Sequence, residues 1–301
     1  MLLILGMLPV LFGFLGKLHW FLDVFSHFRV YYIIYFVFVS LLAVASKKWK
    51  EVAVSVFIAS VLVIPLMKFY LPAAIETNSK TGLKVAALNL LSSNQEYNRV
   101  IDYLDEEKFD IIFFLELNSE WDKSLMRIDE EYPYKLMIPR SDNFGIGLIS
   151  KVPLVDVQNI GFSNTGIPSI LVSLLHDDKE LKIIGTHPLP PVGEQYFSSR
   201  NAQFEALNDF IKNQESEVLL IGDLNSTVFS PNFKILTKDI GLIDSRLGYG
   251  LFTSWNAQWS LISVAIDHAF VTNGIEVINR GVGKEIGSDH LPITIEIGWK
   301  E

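Results

Sequence analysis

Three stretches without a charged residue, 1–16, 30–46 and 52–67, fill most of the first 71 positions. As helices rising about 1.5 Å per residue they reach roughly 24–26 Å each, close to a hydrocarbon core of about 30 Å. Core helices of a soluble domain keep a polar face, and these runs have none. A cleaved leader fits no better: the first run lacks a basic start, and Ala43-Val44-Ala45 is followed by another apolar run. His19, Trp20, Tyr31, Tyr32, Trp49, Phe69 and Tyr70 stand at the edges of the runs, where interfacial rings belong. Residues 1–71 are therefore expected to form a three-helix transmembrane anchor of an integral membrane protein, with the lipid bilayer as partner. The densest basic cluster, Lys47-Lys48-Trp49-Lys50, joins the second and third runs. Basic loops stay cytoplasmic, so the chain beyond the third span is expected on the extracytoplasmic side.

Charge divides the chain at the same place. Of 25 basic and 34 acidic residues the anchor holds six and two, leaving 19 and 32 beyond residue 71, a net of −13. Such a surface grips the phosphates of a long nucleic acid poorly. The absence of cysteine excludes a disulfide scaffold, a Cys-ligated zinc site, an iron–sulfur cluster and thiol catalysis. Residues 72–82 read as a linker, with turn-forming residues and no apolar periodicity. From 83 to 301 short β-rich runs alternate with amphipathic ones, which predicts one α/β layered domain. Strands are expected at 83–88, 110–115, 145–150, 169–175, 181–185, 217–221, 264–271 and 291–297, and helices at 95–108, 119–131 and 198–213. Runs 111–115, 183–184 and 218–221 are apolar throughout, as strands covered on both faces are.

The residues that follow these strands carry the chemistry. Asn89 closes the first run and Glu116 the second; Thr186-His187 follows 183–185, and Asp223-Leu224-Asn225 follows 219–222. Asp267-His268 lies within 264–271, and Asp289-His290 just precedes 291–293. One polar residue at a strand end is ordinarily a turn-former. Carboxylates, imidazoles and amides at all these ends, with no Ser or Cys nucleophile, point instead to metal-assisted hydrolysis. Oxygen ligands then hold Mg²⁺ or Mn²⁺, a carboxylate activates water, and imidazoles meet the developing negative charge. His268 falls on the opposite strand face from Asp267 and reads as structural. Arg200 and Gln203 stand one helical turn apart after His187; the arginine suits either a second phosphate or a surface ion pair. Residues 189–197 read as a lid, a membrane-dipping edge or a plain loop, and Phe144 and Trp255 as pocket-mouth candidates.

The ordered motifs Leu88-Asn89, Leu115-Glu116, Thr186-His187-Pro188, Gly222-Asp223-Leu224-Asn225, Ile266-Asp267-His268 and Ser288-Asp289-His290 resemble those of the endonuclease/exonuclease/phosphatase (DNase I-like) superfamily. With its N-terminal spans the chain is similar to the membrane-anchored YafD/VanJ-like subgroup. The resemblance implies a four-layer α/β/β/α sandwich over residues 83–298, preceded by three N-terminal transmembrane helices. It implies Mg²⁺ (or Mn²⁺) held chiefly by Glu116, with Asn89 and Asp289 contributing. It further implies that Asp223 orients or deprotonates the attacking water and that Asn225 holds the phosphate in line. His187 and His290 would donate to the non-bridging oxygens, with Asp267 orienting His290. Two features depart from DNase-like nucleases: no second carboxylate is evident for the first histidine, and basic DNA-gripping loops are missing.

The leading expectation is a metal-dependent phosphohydrolase, whether mono- or diesterase or pyrophosphatase. Its substrate would be a membrane-associated phosphate, such as a polyprenyl pyrophosphate or a phospholipid, in a bacterial cell membrane. The alternatives are a membrane-anchored extracytoplasmic nuclease and an inactive binding module. Loss of Glu116, Asp223 or His290 would mark the last of these, and all three are present.

Overall fold

The computed structural model describes residues 1–72, 82–162 and 164–300, so the expected linker 72–82 lies, apart from its two ends, outside the described residues. The N-terminal part comprises α1 (Leu2–Phe14), α2 (Trp20–Val24), a 3₁₀ turn (Phe25–Phe28), α3 (Arg29–Ala45) and α4 (Trp49–Met67). From α2 through α3 the helix runs on as one apolar stretch, Trp20–Ala45. That stretch and α4 are long and apolar enough to cross a membrane, and only 17% of the most apolar window of each is buried. Neither is mostly buried within the chain, as the core helix of a soluble domain is.

Two of the three expected spans thus have spanning length. The third, α1, has 13 residues, about 20 Å of helix, against a core of about 30 Å. Gly6 lies against Tyr35 and Phe36, Gly13 against the Ser26 backbone, and Tyr35 donates to the Leu2 carbonyl (2.8 Å). Helix α1 therefore lies antiparallel along the first half of the Trp20–Ala45 stretch. Phe36, Ala59 and Leu62 form the buried seam of this bundle, while Phe38, Leu41, Phe57 and Ile64 point outward.

The remainder carries β1 (Leu83–Asn89), α5 (Tyr97–Glu107), β2 (Ile111–Leu115), α6 (Ser119–Leu125), β3 (Tyr134–Ile138), β4 (Ile146–Ser150), β5 (Asp156–Ile160) and β6 (Ser169–His176). There follow β7 (Lys179–Thr186), α7 (Glu194–Lys212), β8 (Glu217–Asp223), α8 (Phe233–Thr237), β9 (Ile243–Asp244), β10 (Asp267–Val271), β11 (Ile275–Val282) and β12 (Ile293–Trp299). One sheet has the order β11-β12-β1-β2-β4-β3 and the other β5-β6-β7-β8-β10-β9. Each contains a single parallel pair, β1/β2 and β7/β8, joined through α5 and α7; the other pairings are antiparallel.

Strand alternation explains the layers. Val85, Phe113 and Leu115 of one sheet meet Ile170, Val172 and Leu219 of the other in the central core. The alternate residues Leu88, Ile112 and Phe114 pack outward on Val100 and Leu104 of α5 and Trp121 of α6. On the second sheet Ile184 and Leu220 pack outward on Phe204 and Leu207 of α7. The stack is helix, sheet, sheet, helix, and central strands covered on both faces need the uninterrupted apolar runs seen in the sequence.

The helical bundle docks directly on the second sheet's side. Leu66 and Phe69 share an apolar cluster with Phe229, Leu251 and Ala265. Asp23 and Arg200, both fully buried, form an ion pair at 2.8 Å. The Asp23 carboxylate also accepts from Ser230 Oγ (2.6 Å) and Asn232 Nδ2 (3.2 Å). Arg200 therefore makes neither of the contacts weighed from sequence: it is no phosphate ligand and no surface pair, but a buried link to the N-terminal helices.

Candidate active site

The two parallel pairs end on the same side of the molecule, and polar residues at such carboxyl ends converge. Asn89 ends β1, Glu116 follows β2, His187 follows β7 and Asp223 ends β8. Asp267 opens β10 directly opposite Asp223 in the ladder, and His290 precedes β12, bridged to Trp255. Gly222 permits this convergence. Its φ of 143° suits glycine, and a Cβ there would sit 2.1 Å from the Thr186 carbonyl oxygen.

Asp223 is the hub. Its Oδ2 lies 3.3 Å from Asn89 Nδ2, 3.4 Å from His187 Nε2 and 3.7 Å from His290 Nε2. Asn89 Nδ2 also donates to Glu116 Oε1 (3.2 Å), and His290 Nδ1 donates to Asp267 Oδ2 (2.8 Å). Asn225 donates its N–H to Asp223 Oδ1 (2.8 Å) and its Nδ2 to the Pro188 carbonyl (2.9 Å), tying two site loops together. Glu116 and Asn225 both hold left-handed backbone, φ 57° and 48°. Such conformations cost on the order of 1–3 kcal/mol outside glycine and persist where the surroundings fix them.

Burial alone would raise the Asp223 carboxyl, but the His290 and His187 imidazoles and the Asn225 N–H outweigh it and hold it down to about 2. Burial likewise opposes charge on His290, yet Asp267 and Asp223 push it up to about 10. At neutral pH the site therefore holds an imidazolium between two carboxylates.

Glu116 is buried and, among the described residues, has no cationic partner; its oxygens accept from Asn89 and from Ser92 N–H (3.0 Å) and Oγ (3.2 Å). Asp289 accepts from Trp255 Nε1 at Oδ2 (2.9 Å), while its Oδ1 is buried without a hydrogen-bond partner. Carboxylates left with free lone pairs suit a hard divalent cation. A second acceptable group is Asp223, Asp267 and His290, whose ligand atoms lie within 4.8 Å of one another. There the imidazolium would first have to surrender its proton.

All the sequence-expected residues except Asp289 join one network of hydrogen bonds and ion pairs, the His290–Asp267 pair meeting Asp223 at 3.7 Å; Asp289 lies at its edge through Trp255. Ser92 and Ser254, whose Oγ accepts from Asp267 N–H (3.2 Å), support it without having been anticipated. His187 meets Asp223 through Nε2, but its Nδ1 is buried without a partner, so among the described residues no second carboxylate supports this histidine from behind. His268 faces away, donates to the Ser226 carbonyl (2.7 Å), and is pushed down to about 3 by burial, which keeps it neutral and structural. The Phe144 ring stands 5.3 Å from that of His187 and borders an open groove of 920 Å³ that continues past Leu189 to Tyr196. The 189–197 segment is thus a groove wall, with Val192 exposed and Phe197 buried.

The sequence pattern of the endonuclease/exonuclease/phosphatase family matches residues 86–290. The chain belongs to this family, whose members are hydrolases of phosphoester bonds. Its fold is similar to that of a humanized D. rerio TDP2, with TM-score 0.62 and 16% identity over 72% of this chain and 99% of that one. It is also similar to a family member from Bacteroides thetaiotaomicron, with TM-score 0.60 and 19% identity over 73% of this chain and 99% of the other. In sequence, an alignment of 168 positions that covers 48% of this chain is 27% identical to the inositol phosphosphingolipids phospholipase C of Saccharomyces cerevisiae. That match spans 35% of the yeast protein's length.

Proposed function

We propose that this chain is a divalent-metal-dependent phosphohydrolase, held in a membrane by α3 and α4, that cleaves a membrane-associated phosphate by in-line attack of water. A polyprenyl pyrophosphate or a phospholipid is the substrate class. The carrying observation is that the Asp223-centred network sits in a unit docked, through a buried ion pair, on helices of spanning length. The distant yeast relative, named as a phospholipase C, supports a lipid substrate. The basic turn at Lys47, Lys48 and Lys50 supports an extracytoplasmic catalytic unit.

Glu116, with Asn89 and Asp289, is the set assigned to Mg²⁺ or Mn²⁺, which when bound neutralises charge on the phosphate oxygens. Asp223 stays ionised with its pKa near 2, so its part is to align the attacking water rather than to store the proton. Asn225 fixes the phosphate relative to that water. His187 and His290 donate to the non-bridging oxygens as charge builds, and Asp267 keeps His290 protonated and oriented. Hydrolysis of this kind needs alignment and charge neutralisation more than covalent chemistry.

Solubilised full-length protein with Mg²⁺ should release phosphate from a polyprenyl pyrophosphate, or a phosphorylated head group from a phospholipid, with linear and plasmid DNA run in parallel at low and high salt. The expected result is lipid turnover, weakly dependent on salt and abolished by EDTA or Asp223→Ala. DNA cleavage that falls steeply with salt, without lipid turnover, would replace this reading with a nuclease. That is the reading favoured by the D. rerio TDP2 structure with a single-strand DNA product. Silence on every substrate together with failure to bind metal would leave a binding module.

A further inference from the structure

Between the catalytic strands and the helical bundle runs a loop, residues 256–263, that the chemistry above does not use. Its stem is fixed to the site: Trp255 bridges both Val264 and His290, and Ala257 N–H donates to the Asp289 carbonyl (2.7 Å). Its far leg is fixed to α3: Tyr31 Oη donates to the Ser263 carbonyl (2.8 Å) and accepts the Ser263 N–H. Its tip, the 3₁₀ turn Ala257–Ile262, turns apolar side chains to the outside, with Trp259 70%, Leu261 88% and Ile262 49% exposed.

The depth of this tip is bounded by elementary geometry. Tyr31 precedes the Lys47 turn by about 16 residues, roughly 24 Å of helical rise, and a helical side chain leans back toward the N-terminus. The Tyr31 hydroxyl therefore reaches close to the far edge of a core about 30 Å thick. Leu261 and Ile262 lie within two residues of Ser263, at most about 7 Å of extended chain. Whichever way the loop points, these side chains remain in the boundary layer, where indole and aliphatic groups are favoured.

We propose that residues 256–263 form a membrane-insertion loop, with Trp259, Leu261 and Ile262 seated in the headgroup–acyl boundary of the bilayer that α3 and α4 cross. The loop holds the Trp255–Asp289–His290 wall of the site at the lipid surface, so a headgroup-level phosphate meets the site without leaving its membrane. This rests on the membrane-spanning reading of α3 and α4 given above. The occupant is lipid because both neighbours of the tip in the chain's own architecture, the Tyr31 turn and the outward apolar face of α3, are continuous with a span.

The absence of native cysteine makes the test clean. Full-length Leu261→Cys, Phe57→Cys (outward in the middle of α4) and Val155→Cys (exposed beside β5) are spin-labelled singly and reconstituted in phosphatidylcholine vesicles. Power-saturation spectra are recorded with oxygen and with a water-soluble nickel chelate. The expected label at residue 261 favours oxygen over nickel, between a deep label at 57 and an aqueous one at 155. A label at 261 as nickel-accessible as that at 155, with 57 still deep, overturns the insertion loop and leaves the anchor standing. An aqueous label at 57 overturns both. Spin–spin broadening at 261 in lipid-diluted vesicles overturns it in favour of contact with a second copy.

Discussion

At His290 two carboxylates compete for one imidazole, Asp267 at 2.8 Å and Asp223 at 3.7 Å. The raised pKa of about 10 means that their stabilising contribution is complete below the unfolded value of 6.5 and is lost as pH rises through about 10. The proposed donation to a phosphate oxygen would follow the same limb. Asp267→Asn removes the nearer charge and should move the alkaline limb of turnover toward neutrality by one to two units, about 1.4 kcal/mol each. A pH–rate profile checks this, and an unmoved limb would disprove the role given to the pair. Residues at strand ends were legible because carboxylates and imidazoles are conspicuous after apolar runs. Ser92 and Ser254 were not, because a lone loop serine carries no signature until the atom it binds is known. Arg200 was misread for a related reason: its partner Asp23 lies 177 positions away.

At the scale of elements, α7 and the segment that opens with α2 are coupled through that ion pair. The Arg200 Nη1 lies 3.5 Å from the Asn225 carbonyl, and Thr227 N–H donates to His27 Nδ1 (3.3 Å), so the loop after β8 is braced from the bundle. Removing one member of a fully buried pair leaves the other charge uncompensated, which costs about 3–5 kcal/mol. Arg200→Met should lose stability on that scale, and Asp23→Asn/Arg200→Met should recover a large part of it. Thermal unfolding of the full-length variants checks this; a single variant as stable as the parent would contradict it. The longer helices and the buried strands were legible from periodicity and apolar runs; the five-residue α2 and α8 are too short to show a period. Four strands were not: β3, β5, β9 and β11, which are the four outer edges of the two sheets. With one side unpaired, an edge strand carries polar residues and irregularities, such as the register shift between Val277 and Asn279, that erase the pattern.

The whole molecule joins a layered hydrolase to apolar helices without an intervening gap, since the bundle and the loops beside β8 and β10 share an apolar cluster at Leu66, Phe69, Phe229 and Leu251. The site is therefore held at a fixed height relative to the helices; with those helices in a bilayer, as proposed, a substrate in the same bilayer would meet it at high effective concentration. Family and fold were legible in the ordered motifs; the docking was not, because it depends on contacts between segments that are individually unremarkable. The most direct measurement compares wild-type protein and Asp223→Asn in vesicles containing a polyprenyl pyrophosphate, following Mg²⁺-dependent phosphate release. Turnover by the wild type, reduced about 10²–10⁴-fold in the variant, is the predicted result. Equal release by both proteins, or no release by the wild type with any divalent cation, would contradict the assignment of Asp223 and its neighbours as a hydrolytic centre for membrane phosphates.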